Sequence, residues 1–224
     1  MLKNLSLKAR IKDQINLASK LTIYKVVNSA MLLISYYWSR VTKRSVQWGL
    51  PASISFEPTT SCNLKCPECP SGLRAFTRPT GMLENKFFKK SIVQLKKQLH
   101  YLTFYFQGEP YLNPKFLDMV KFAHDNKIYT ATSTNAHYLK PSIAKKTIES
   151  GLDRLIISID GTSQEVYQSY RKGGQLDRVI EGAKNIIAAK KEMNSTKPFV
   201  IFQFLVVRPN EHQIEEVLKL GKEV

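Results

Sequence analysis

From Pro51 onward the chain alternates short apolar or β-branched runs with stretches of helical spacing. Residues 53–56, 102–106, 128–133, 155–159 and 199–207 read as strands, and each is followed by a helical pattern. Phe88, Ile92, Leu95 and Leu99 recur at spacings of four, three and four, so they share one helical face. Pro114 follows a candidate cap at Asn113 ahead of Phe116, Leu117 and Val120, and Pro141 opens a helix that Gly151 closes. Val179, Ala183, Ile186 and Ile187 mark a further helix, and Ile214, Val217 and Leu218 the last. Five β/α units in series predict an α/β fold with parallel strands, either a doubly wound sheet or a whole or partial β/α barrel. No internal repeat or low-complexity tract interrupts them.

Residues 1–50 follow a different pattern. Leu7, Ile11, Ile15 and Ala18 fall on one helical face with Lys8, Lys12 and Lys20 mostly off it. The segment holds nine Lys and Arg (Lys3, Lys8, Arg10, Lys12, Lys20, Lys25, Arg40, Lys43, Arg44) against Asp13 alone, half of the net charge of +16. It is expected to precede a catalytic domain at 51–224 as a basic amphipathic appendage. Two readings fit: a helix laid over a folded neighbour with its lysines solvated, or a contact for an anionic membrane surface or other polyanion. The longest run without a charged side chain, between Lys25 and Arg40, is 14 residues. A spanning helix needs roughly 20 apolar residues, so no transmembrane helix is expected. The opening residues also lack the order of a secretory signal, and the protein is expected in the cytosol.

The chain has three cysteines, all within Thr60-Ser61-Cys62-Asn63-Leu64-Lys65-Cys66-Pro67-Glu68-Cys69-Pro70, just after the first strand. An odd number so closely spaced is no disulfide framework. A tight loop aims Cys62, Cys66 and Cys69 at one centre, and thiolates suit zinc or an iron–sulfur cluster. Structural zinc takes four protein ligands, whereas no fourth cysteine exists and His100, His124, His137 and His212 show no finger-like spacing. A three-thiolate cluster with one iron left for a small molecule fits the donor count better. Zinc, and three thiols without metal, remain as alternatives.

The Cys-x3-Cys-x2-Cys spacing resembles the signature of the radical S-adenosylmethionine enzymes. That resemblance implies a partial (β/α) barrel in which Cys62, Cys66 and Cys69 hold three irons of a [4Fe–4S] cluster. S-adenosyl-L-methionine would chelate the fourth through its amino and carboxylate groups. Later motifs follow in the family's order. Gln107-Gly108-Glu109-Pro110 is similar to its Gly-Gly-Glu-Pro segment, with Gln107 in place of the first glycine. Ser133-Thr134-Asn135-Ala136 resembles Ser-Thr-Asn-Gly, again with the glycine replaced. Ser158-Ile159-Asp160-Gly161 looks like the serine-bearing strand end that contacts the cofactor, and Arg171 matches an arginine near its carboxylate. By this resemblance Gly108, Glu109, Pro110, Ser133, Asn135, Ser158, Asp160 and Arg171 bind the cofactor. Glu109 or nearby carbonyls would accept from the ammonium, Arg171 would donate to the carboxylate, and Ser158 and Asp160 would bind ribose hydroxyls. Glu68 departs from the aromatic or apolar residue often found before the third cysteine. In a parallel β/α array the loops leaving the strands share one face, so motifs from Cys62 to Arg171 would converge.

The resemblance also implies chemistry. A flavodoxin or ferredoxin would reduce the cluster, the sulfonium would be cleaved to methionine and a 5′-deoxyadenosyl radical, and that radical would take a substrate hydrogen. No general acid or base is assigned, and no hydrolase triad or phosphate loop is present. Thr80-Gly81-Met82, Tyr170-Arg171-Lys172-Gly173-Gly174 and Val206-Val207-Arg208-Pro209-Asn210 resemble the branch with a C-terminal auxiliary-cluster domain, called SPASM. Its members modify peptides, proteins or small metabolites. No cysteine follows Cys69, so the chain is expected to be an incomplete barrel without that domain or a sixth strand. Two rival functions remain: a zinc-stabilised basic nucleic-acid-binding module, and a radical enzyme acting on RNA.

Overall fold

The structure is a computed structural model and describes residues 7–224; Lys3 lies outside the described residues, and so does the side chain of Lys8. Two helices, α1 (Leu7–Ala18) and α2 (Ile23–Thr42), precede the sheet. The strands are β1 (Ser53–Ser55), β2 (Tyr101–Thr103), β3 (Tyr129–Thr134), β4 (Arg154–Ser158) and β5 (Phe199–Gln203). All neighbours pair in parallel and the spatial order is β1-β2-β3-β4-β5. A doubly wound sheet reverses its order at a switch point, whereas this sheet never does, which selects the barrel-type alternative. Strand β5 is shorter than its apolar run predicts. Asn210 accepts from the amide of Val207 and donates to the carbonyl of Leu205, pulling the chain out of extended pairing.

The connecting helices are α3 (Pro70–Leu73), α4 (Asn85–Leu95), α5 (Phe116–Asp125), α6 (Pro141–Glu149), α7 (Gln164–Tyr170), α8 (Leu176–Glu192) and α9 (Ile214–Glu223). Neighbouring members α4 and α5, α5 and α6, and α6 and α8 pack side by side. The core lies between this layer and the sheet: Phe88 and Ile92 of α4, Met119, Val120 and Ala123 of α5, and Val179, Ala183 and Ile186 of α8 meet Leu102, Leu155 and Ile157. Each fully buried aliphatic or aromatic side chain contributes about 1.5–3 kcal/mol. Asn113 is not the cap: its carboxamide accepts from the amide of Lys115, which takes that position, and α5 starts at Phe116, two residues later than expected.

The N-terminal segment does fold as a helix over the barrel, but with its polar side inward. Asp13 accepts from the Tyr129 hydroxyl at 2.5 Å and pairs with Arg154. Asn16 donates to Asp153 at 2.9 Å, and Lys20 lies 3.5 Å from the same carboxylate. Tyr129, Asp153 and Arg154 stand at the N-terminal ends of β3 and β4, so α1 closes the end of the barrel opposite the strand-exit loops. Leu7, Ile11 and Ile15 point into solvent.

Candidate functional site

The cysteine loop is bound on both sides. Thr60 and Gly81 exchange two hydrogen bonds, at 3.0 Å and 2.9 Å, which fixes the loop's start to the Thr80-Gly81-Met82 segment. Farther along, the amide of Lys65 donates to the carbonyl of Lys172 at 2.9 Å. Cys69 caps α3, and Gly72 in that helix lies so close to the loop that a Cβ there would sit 2.4 Å from the carbonyl oxygen of Cys66. The three thiols therefore line one open cleft.

Across the cleft stand the exits of β2, β3 and β4. Gly108 has φ +77°, and a Cβ on it would lie 2.0 Å from the carbonyl oxygen of Thr59, so the β2 exit presses directly on the cysteine loop. The Gln107 carboxamide oxygen accepts from the Cys69 thiol at 3.3 Å and from Ser71 at 3.3 Å. Ser133 and Ser158 place their hydroxyls 3.3 Å apart at the ends of β3 and β4. The Asn135 amide group reaches Asn63 at 2.8 Å and the Cys62 sulfur at 3.9 Å. Ala136, where the resembling motif has glycine, adopts φ +64°, a conformation that costs an L-residue about 1–2 kcal/mol.

Glu109 is buried, and its carboxylate accepts from Thr134 at 2.7 Å, from the amide of Asn135 at 2.9 Å and from the amide of Tyr111 at 3.3 Å. It lines the cleft, yet both its oxygens hold the turn after β3. Burial pushes its carboxyl up to about 7, against the pull of those donors. Both carboxylate oxygens of Glu109 are therefore already engaged within the protein.

Arg171 ends α7 with Nη1 3.9 Å from the Cys66 sulfur and Nε 2.5 Å from Asp160. Burial works against its charge, but the Asp160 carboxylate and the Cys66 sulfur outweigh that and hold the guanidinium protonated. Burial likewise pushes the Cys62 thiol up to about 11, and it raises Cys66 despite the opposing pull of Arg171. Metal loading at these thiols must therefore expel protons.

Asp160 and Pro110 do not line the cleft. Asp160 is fully buried, with one oxygen on Arg171 and the other on the amide of Leu205, and the buried Pro110 starts a 3-10 turn. Glu68 is exposed and also outside the lining. Sequence motifs did not single out Tyr105 and Phe106, which line the cleft at the β2 exit, or Ser71, whose hydroxyl accepts from the Gly108 amide at 2.9 Å. Asn210 donates to the carbonyl of Asp160 at 3.0 Å, so the Val206–Asn210 motif steadies the arginine's partner.

The donor set distinguishes the metal alternatives. Among the described residues the cleft offers three thiols and no histidine, and its one carboxylate, Glu109, is already held by Thr134 and Asn135, so a fourth protein ligand for structural zinc is missing. A cluster, in which each thiolate binds a different iron, fits three donors.

Comparison with known proteins agrees. The model of the Radical SAM superfamily matches residues 56–221. An AdoMet-dependent heme synthase from Methanosarcina barkeri is 29% identical over 178 residues, covering 78% of this chain and 48% of that protein. The mycofactocin maturase MftC of Mycobacterium tuberculosis is 28% identical over 139 residues, covering 62% of this chain and 35% of that protein. The chain thus spans half or less of the length of these curated relatives. Among solved structures, Streptococcus suis SuiB bound to S-adenosylmethionine superposes with a TM-score of 0.66 at 19% identity, covering 83% of this chain and 41% of that one. SuiB bound to precursor peptide SuiA gives 0.65 at 18% identity, covering 84% and 40%. With a superfamily match across nearly the whole sheet and the cysteine loop at its strand exits, the chain belongs to the Radical SAM superfamily.

Proposed function

We propose that this chain is the radical-generating half of a cytoplasmic peptide- or protein-modifying enzyme. Its cofactors are those of its superfamily, a [4Fe–4S] cluster and S-adenosyl-L-methionine. Cys62, Cys66 and Cys69 hold the cluster. When bound, the pair supplies a 5′-deoxyadenosyl radical on one-electron reduction, from a flavodoxin or ferredoxin donor, for hydrogen abstraction. Arg171, charged and adjacent to Cys66, binds the cofactor carboxylate. Carbonyls of Gln107 and Gly108 accept from its ammonium, and Ser133, Ser158 and Asn135 hold the nucleoside side of the cleft. Asp160 acts through Arg171 as a positioning residue, and Glu109 fixes the Asn135 turn.

The observation carrying this reading is the placement of Arg171 beside a three-thiol cluster loop in one cleft. A peptide or protein substrate is supported by the maturase relative and by the fold shared with a peptide-bound enzyme. Anaerobic iron and sulfide loading should give a brown protein that forms 5′-deoxyadenosine from S-adenosylmethionine when reduced. A colourless chain holding one zinc would overturn the reading. The cysteine-to-serine variants at 62, 66 and 69 should each lose the cluster absorbance.

A further inference from the structure

Helix α2 is built inside out. Its inward seam is Lys25, Asn28, Leu32, Ser35, Ser39 and Thr42, at alternating spacings of three and four and polar except for Leu32. These side chains meet backbone, not a hydrophobic core: Lys25 donates to the carbonyls of Lys20 at 3.1 Å and Lys127 at 2.5 Å. Asn28 exchanges two bonds with Leu50, and Ser39 exchanges two with Val46. Only the first turn is tied to the barrel. Beyond it, residues 43–50 run back along the helix's polar side, and Trp38 lies 6.2 Å from Trp48. The result is an arm about 30 Å long.

The opposite half of the arm is apolar and uncovered. Ile23 is 70% exposed, Ile34 55%, Trp38 52% and Val41 80%. With Val27, Leu33 and Tyr37 they sweep about half of the helix circumference, wider than the narrow seam of a paired helix. Leu7, Ile11 and Ile15 of α1 add a second uncovered apolar face. No acidic residue occurs between Asp13 and Glu57, and Arg40, Lys43 and Arg44 close the arm. No single helix among the described residues is long and apolar enough to cross a membrane, and α1 and α2 are bent by 93°. A broad apolar face with Trp, Tyr and basic residues at its margin has the chemistry of a helix lying in a bilayer surface.

We propose that the arm beds its apolar half in the surface of an anionic lipid bilayer, holding the enzyme as a peripheral membrane protein. Polar contacts inward and apolar side chains outward suit a helix with folded protein on one side and acyl chains on the other. The basic end meets the lipid phosphates. Because α1 is fixed at the N-terminal strand ends, the cysteine cleft opens at the other end of the barrel and stays accessible.

Both tryptophans of the chain are in the arm, so intrinsic fluorescence reads it directly. Titrating the full chain with vesicles of phosphatidylcholine containing phosphatidylglycerol should shift the emission to the blue and carry the protein upward in flotation. Each basic residue removed from Arg40, Lys43 and Arg44 should weaken partitioning roughly fivefold at low salt. Ile34→Glu with Val41→Glu should abolish flotation while leaving circular dichroism and cluster absorbance unchanged. Unaltered emission and no flotation with anionic vesicles would overturn the proposal. So would equal binding to pure phosphatidylcholine, or a stable dimer that this double variant splits, since a second copy would then own the face.

Discussion

At the scale of single residues, the site rests on two close approaches and one buried pair. Replacing Gly108 by alanine forces a methyl into the Thr59 carbonyl and a left-handed φ onto an L-residue. It should cost at least about 2 kcal/mol in denaturant unfolding and lower cluster occupancy, because the β2 exit and the cysteine loop must separate. Asp160→Ala leaves the buried Arg171 guanidinium without its carboxylate and should cost about 3–5 kcal/mol. If unfolding of that variant matched the parent, the pair would not be what holds Arg171. Glu109 carries a pH signature. Its carboxyl is raised in the folded state from 4.5 to about 7, so the folded protein holds the proton more tightly than the unfolded chain. The stability this contributes is complete below about 4.5 and is lost as pH rises through 7. In unfolding measured before cluster loading, Glu109→Gln should remove roughly 3 kcal/mol of the decline across that interval relative to the parent. Parallel curves would refute the assignment.

At the scale of elements, spacing and alternation fix most of what was legible. Strands β1, β3 and β4 lie within one residue of their apolar runs, β2 stops at Thr103, three residues short of its run, and the α4 spacing of Phe88 and Ile92 marks its buried face. The extra length expected of β5 fails because Asn210 captures the local amides and carbonyls, a side-chain competition that periodicity does not register. Helix α1 misleads more deeply. Its apolar face looks like the buried one, but Asp13, Asn16 and Lys20 find partners at the barrel's end that are remote in sequence. Asp13→Ala should therefore release α1: hydrogen exchange should rise across Leu7–Ala18 while β3 and β4 keep their protection. Exchange spreading evenly through the sheet would show that α1 and the barrel unfold as one unit.

At the scale of the whole molecule, chemistry gathers at the strand exits and attachment at the opposite end. The two should vary independently: changes in the α2 arm leave 5′-deoxyadenosine formation intact, and Cys66→Ser leaves vesicle binding intact. Cluster loading should raise the Tm of the parent and not of Cys66→Ser, since only the folded loop presents three thiols together. The sequence by itself determined the β/α alternation, the three thiols on one loop and the basic bias of the first fifty residues, because each depends on local spacing or composition. Only the tertiary structure decided that Asp160 serves Arg171 instead of the cleft, that Gln107 stands against Cys69 and Ser71, and that both N-terminal helices turn their apolar sides outward. Those outcomes depend on which distant polar groups meet first, and pairing energies between residues far apart in sequence leave no period for a pattern to reveal.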